Sequence, residues 1–222
     1  MNARPGRPAA LRGAALALAL ALPALAGCAL LGASNGPPAT LYAPDPRVPA
    51  DPAWPTVRWQ LALASPTAAS MTDGLRIAVR PTPHELQVYK GAGWAKRPSD
   101  MLEDALLRAL EDSGRIPAVA RRGSGVNADY RLVLDLRRFE SDYAGNAVPA
   151  AVVEVNAKLL HARDAQVVAA RTFVHAAPAA SPAVPDVVAA FERSLVAVTG
   201  ELAGWVLASG EAHERTHPAP AP

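Results

Sequence analysis

Two stretches of this chain carry residue types whose spacing could do chemistry. In Leu25-Ala26-Gly27-Cys28, the only cysteine of 222 residues stands behind small residues and a short apolar run. That run, Ala14 to Leu22, follows Arg4, Arg7 and Arg12 and ends at Pro23. Residues 1–27 thus have the basic, apolar and small-residue regions of a secretory signal peptide. A cysteine directly behind such a segment has the pattern of a bacterial lipobox. Cleavage before Cys28 would free its α-amine for an acyl chain and leave its thiol to take a diacylglycerol. A buried methylene adds about 0.8 kcal/mol of membrane affinity, and one chain alone binds only marginally. Several chains together anchor a domain at a membrane surface without spanning it. An uncleaved transmembrane helix is the competing reading, because Ala14 to Leu31 approaches the roughly 20 residues that a span needs. The alanine-rich composition, Pro23, Gly27 and the lack of a basic flank behind the run favour cleavage.

The second stretch is His213-Glu214-Arg215-Thr216-His217. H-E-x-x-H sets two imidazoles one helical turn apart to hold zinc, with a glutamate to activate water. A helix of that kind lies inside a domain and draws a further protein ligand. Here the pattern is followed by Pro218 in a polar segment, Ala208 to Pro222, that closes with Pro-Ala-Pro-Ala-Pro. Residues 209–222 read as a disordered tail, the match as coincidence, and no metal or cofactor is expected. His84, His161 and His175 stand without ligands at suitable spacing. Gly91-Ala92-Gly93 lacks the third glycine of a dinucleotide loop, and Ser124 is not set in G-x-S-x-G. The acidic residues Asp100, Glu103, Asp104, Glu111 and Asp112 read as a solvated helix face. No constellation for catalysis results, and the reading is a non-enzyme.

Charge excludes another class. Residues 1–27 hold three of the 22 basic side chains and none of the 20 acidic ones, so the remainder carries 19 against 20. A chain near −1 offers no electrostatic footprint for nucleic acid. From Gly32 to Thr56 seven prolines stand among small and polar residues, which reads as a semi-rigid tether over residues 28–56. Residues 57–208 are then the folded domain.

The elements follow from periodicity. Trp59 to Leu63, Leu75 to Val79 and Glu85 to Tyr89 alternate as strands. Pro98 and Ser99 introduce a helix in which Asp100 and Glu103 have capping-box spacing. Its face is Met101, Leu102, Ala105, Leu106, Ala109 and Leu110, and it stops at Gly114. Tyr130, Leu132, Leu134 and Leu136 alternate with polar residues, as do Val153, Val155, Ala157 and Leu159, and Val167 to Val174 completes a hairpin. After Pro185, the residues Val188, Phe191, Leu195, Val198, Leu202 and Trp205 are spaced 3, 4, 3, 4, 3 along one helical stripe. Gly200 and Gly204 either permit close packing there or mark fraying near its end. The expected fold is α+β, a single domain with two long helices on one face of a mainly antiparallel sheet.

Leu86-Gln87-Val88-Tyr89-Lys90-Gly91-Ala92-Gly93-Trp94-Ala95, then Pro98 and the helix to Asp112-Ser113-Gly114, resembles the central signature of the ABC-type transport auxiliary lipoproteins. Asp129 to Leu136, Ala169 to Phe173 and Ala189 to Trp205 extend the likeness over about Leu41 to Leu207. The resemblance implies a non-catalytic partner of an MCE-domain protein, an ATPase and a permease that move phospholipid between the two membranes of a Gram-negative envelope. Ala29, where an aspartate would mark inner-membrane retention, implies the outer membrane and its periplasmic face. Tyr89 and Trp94, between a strand and a helix, are expected either to contact the partner or to clasp the fold. The alternative function is a lipid-binding module holding an acyl chain among Leu132, Leu134, Val155, Phe191 and Leu195.

Overall fold

Apolar alternation becomes strand, and 3–4 spacing becomes helix, across residues 39–217, the part of the chain that the computed structural model describes. In chain order these are β1 (Thr40–Tyr42), β2 (Leu61–Leu63), β3 (Thr67–Ala68), β4 (Arg76–Arg80), β5 (Gln87–Trp94), α1 (Pro98–Ser113), β6 (Val119–Arg121), β7 (Tyr130–Asp142), β8 (Ala150–His161), β9 (Val167–Pro178) and α2 (Val184–Thr216). The fold class is α+β, with two helices and one nine-stranded sheet.

β7 organises that sheet. One side pairs antiparallel with β8 along its whole length, from Tyr130 opposite His161 to Asp142 opposite Ala150, and β8 pairs in turn with β9. The other side of β7 takes three short parallel partners end to end: β2 at Tyr130, β3 at Asp135 and β4 at Ser141. β6 continues from β2, and β5 then β1 continue from β4. The long strands are therefore antiparallel, and the sheet splits beyond β7. Tyr130, Leu132, Leu134 and Leu136 are buried under the helices, as are Val153, Val155, Ala157 and Leu159 of β8.

α1 buries its expected apolar face and ends at Gly114 in the left-handed conformation, φ 61°. Its start differs from the expected capping box. Arg97 is the N-cap without a side-chain bond, and Asp73 of a distant loop accepts from the Ser99 N–H at 2.9 Å. Glu103 turns instead toward Arg121 of β6 at 3.2 Å. Burial raises the Glu103 carboxyl, and the Arg121 charge works against it.

α2 runs 33 residues. Phe191, Leu195, Val198 and Leu202 are buried, while Val188 and Trp205 at the ends of the expected stripe are half-buried. A 3.5-residue spacing drifts around a 3.6-residue helix by about 20° per heptad, so Val187 and Val206 take over as the buried positions. The expected tail is corrected here: residues 209–216 are helical and Gly210 is buried. The tether is corrected as well. β1 pairs with β5, and Trp54 is buried beside Val57 and Trp59. Proline-rich chain is extended and needs no internal hydrogen bonds, so it lies along a helix once apolar anchors hold it. Residues 39–56 accordingly form a strap, tied also by Asp45 to Arg108 of α1 at 2.6 Å. No helix among the described residues is long and apolar enough to cross a membrane.

Candidate functional site

Tyr89 and Trp94 both lie on β5, yet they meet different surroundings. Trp94 is 1% exposed. Its ring stands edge-on to Phe139 of β7 at 5.6 Å and to Phe191 of α2 at 5.1 Å, and those two phenylalanines stack at 4.6 Å. Of the two roles expected of Trp94, this enclosure supports the clasp, because a side chain enclosed by sheet and helix has little surface to offer a partner. Tyr89 is half-buried, and its hydroxyl lies 2.9 Å from Ser141 Oγ. Burial pushes its phenol up to about 12. Nearby, Glu140 is 4% exposed and accepts from Arg80 Nε at 2.9 Å and Arg138 Nε at 2.7 Å. Burial works to raise its carboxyl, but the two guanidiniums outweigh burial and hold it below the usual carboxylate range.

The H-E-x-x-H segment closes the opposite end of β7. Tyr130 Oη is 2.7 Å from His213 Nδ1 and donates to Glu214 Oε1 at 2.7 Å. The His213 ring stacks on His217 at 4.6 Å and lies 5.3 Å from His161, which is itself paired with Asp164 at 3.0 Å. A polar hollow of about 540 Å³ opens here between Arg58, Asp129, Arg163 and Glu211. His213 through Nδ1 and Glu214 through Oε1 both meet the Tyr130 hydroxyl, so the pattern ties the end of α2 to the sheet. Among the described residues no group of three or more histidine, cysteine, aspartate or glutamate side chains is placed to hold a metal ion.

Burial lowers the His213 pKa below 6.5, and the neighbouring His217 and His161 push the same way. A histidine depressed in the folded state contributes stability in full above its unfolded value. That contribution is lost as pH falls through the lowered value. The protection of amides in the last two turns of α2, taken relative to their intrinsic exchange rate at each pH, should therefore fall as pH drops from about 7 to about 5, and His213→Asn should flatten that response. Protection that is equally pH-dependent in the variant would assign the effect to another group.

An apolar groove of about 1000 Å³ runs along the outer side of α2. Val48 and Trp54 of the strap, Gly200, Gly204 and Trp205 line it, and Arg171 stands at its rim 3.8 Å from Glu201. The five residues expected to enclose an acyl chain are elsewhere. Leu132, Leu134, Val155, Phe191 and Leu195 are at most 1% exposed and fill the core.

The family described as ABC-type transport auxiliary lipoprotein component matches residues 40–203, from β1 to the middle of α2. This chain belongs to that family. The fold recurs among solved structures. The crystal structure of protein XCC0632 from Xanthomonas campestris, of the DUF330 family, is 56% identical and superposes with a TM-score of 0.77, covering 80% of this chain and 99% of the other. A second solved structure, of an uncharacterized protein, is 12% identical with a TM-score of 0.59 over 77% of this chain and 99% of the other, a likeness of fold alone. Among sequence relatives, the uncharacterized protein bll6063 of Bradyrhizobium diazoefficiens is 27% identical over 180 residues. That match takes in 78% of this chain and 47% of the relative, so the chain spans about half that protein's length. Family membership makes this an auxiliary lipoprotein component of ABC-type transport, a class anchored to a membrane of the cell envelope. Cys28, the position expected to carry the anchor, lies outside the described residues.

Proposed function

We propose that this lipoprotein is acylated on Cys28, faces the periplasm from the outer membrane and docks, without chemistry of its own, onto the MCE-domain protein of a phospholipid transporter. The family match over residues 40–203 carries this reading. Two features support it. The lipobox-like Leu25 to Cys28 follows a signal-like segment. The groups that could do chemistry, His213, Glu214 and Tyr130, are bonded to one another across the α2–β7 seam.

Removal of the anchor tests the first half. Cys28→Ala should abolish palmitate labelling and leave a soluble or signal-anchored precursor, while the thermal midpoint of the domain stays unchanged, because the anchor chemistry is separate from the core. A variant that still takes up label refutes the assignment of Cys28. Docking is tested by solubilising membranes in mild detergent and capturing the lipoprotein. Recovery of an MCE-domain protein with wild type supports the reading, and a lipoprotein recovered without one sinks it.

A further inference from the structure

A strand at the edge of a sheet presents a row of unpaired N–H and C=O groups, and proteins blunt such edges by keeping them short or by placing proline and charge on them. β1 and β6 are short edges, three residues each. β9 is different. It is twelve residues long, Val-Val-Ala-Ala-Arg-Thr-Phe-Val-His-Ala-Ala-Pro, and β8 is its only partner among the described residues. It carries one full charge, and its proline is the last residue. Its register shift falls near the start, opposite Leu159 and Leu160. That charge has partners within the chain: the Arg171 guanidinium lies over the Phe173 ring at 4.8 Å and 3.8 Å from Glu201 of α2. Val167 and Val174 are each 56% exposed along this strand.

The position of α2 says what covers the edge. Ser194 Oγ donates to the Ala151 carbonyl of β8 at 2.7 Å and accepts from the Ala177 N–H of β9 at 3.0 Å. The helix therefore stands astride the β8–β9 seam, about half a strand spacing inside the edge. Strands lie about 4.8 Å apart. A second copy joined antiparallel through its own β9 would bring the two α2 axes to about 10 Å, within the roughly 8–10 Å at which helices pack. The flank of α2 on that side holds small Ala197 and Ala208, half-buried Trp205, edge-on to Phe173 at 5.5 Å, and the exposed Glu201, 3.8 Å from Arg171 of β9. A foreign strand added alone would bring no helix and would leave that flank in water. Twelve paired residues make a strip about 40 Å long. With sheet and helix layers together roughly 20 Å deep, each copy buries about 800 Å², the size of a stable interface. The pairing also leaves the joined sheet without a long free edge.

We propose that this chain pairs with a second copy of itself through β9, forming one continuous antiparallel sheet with the two α2 helices packed side by side. Cys28 is the only cysteine, so single cysteines can be placed against an otherwise thiol-free domain in the full, membrane-extracted lipoprotein. Ala170, Thr172 and Val174 are exposed on one face of β9, and near the two-fold axis a residue meets its own copy at about 4.5–5.5 Å, within disulfide reach. Mild oxidation should cross-link at least one of Ala170→Cys, Thr172→Cys and Val174→Cys into a dimer. Lys158→Cys on β8, about three strand spacings or roughly 14 Å from its counterpart, should stay monomeric on the denaturing gel. Sedimentation of the uncross-linked protein should give a dimer mass, and Val174→Lys, which charges the edge without touching the core, should weaken dimerisation at least tenfold at an unchanged thermal midpoint. A monomer, or an oligomer in which none of the three β9 cysteines cross-links, overturns the proposal.

Discussion

Trp94→Ala should cost the domain about 3–5 kcal/mol, the range for emptying a buried aromatic site. The indole is the shared neighbour of Phe139 on the sheet and Phe191 on α2, so its loss opens a cavity at the junction of three elements that cannot collapse on one side alone. A domain of this size holds a net stability of about 5–15 kcal/mol, and a kilocalorie moves the midpoint of 150–250 residues by about 2–4 °C. The expected fall is therefore roughly 6–20 °C in thermal denaturation. Tyr89→Phe serves as the comparison on the same strand. It removes one hydroxyl from Ser141, which is itself buried, and should cost only about 1–3 kcal/mol. A Trp94→Ala protein that melts like wild type but loses its partner would make the residue an interface anchor.

The contrast between these two residues shows what the sequence could express. Alternation at Tyr130 to Leu136 and the 3–4 spacing from Val188 to Trp205 are local, because one residue's neighbours in space are its neighbours in the periodic pattern. Strands β7, β8 and β9, both helices and the Gly114 stop are legible for that reason. Strands β1, β3 and β6 are two or three residues long and have too few positions to show a period. They exist because β7 and β5 offer them a ladder. Asp73 capping α1 is likewise a bond across 26 residues that no capping-box spacing can encode. The strap and the last turns of α2 are hidden from the sequence for a common reason. Proline content and terminal polarity describe the chain's preference when alone, whereas Trp54 and Gly204, or Tyr130 and His213, hold it only once folded. Tyr89 and Trp94 stand out in the sequence by type and place, but which of them faces the core depends on long-range packing.

The glycines of α2 give the sharpest test of that packing, because the sign of the effect differs along one helix. Gly costs about 1 kcal/mol against Ala in a helix interior, so Gly→Ala stabilises wherever there is room. At Gly200 a methyl group would meet nothing nearer than Val48 Cγ1 at 3.4 Å, an ordinary contact. At Gly204 it would lie 2.6 Å from Trp54 Nε1, and at Gly210 closer still to Trp59 Cζ2. Trp59 cannot yield easily. It is 4% exposed, stands edge-on to Tyr130 at 4.8 Å, and its indole N–H has no hydrogen-bond partner among the described residues, so packing alone holds it. Overpacking of this kind costs about 1–3 kcal/mol and can exceed it, enough to reverse the helix-propensity gain. Gly200→Ala should therefore hold or raise the thermal midpoint, while Gly204→Ala and Gly210→Ala lower it, the second more strongly. Under denaturant the two destabilised variants should also expose Trp54 or Trp59 early, seen as a red-shifted fluorescence before the main transition. A stabilising Gly204→Ala would mean that the strap does not bear on α2 and that residues 39–56 are the tether their proline content suggests, and a stabilising Gly210→Ala would mean that Trp59 does not pack against the end of α2.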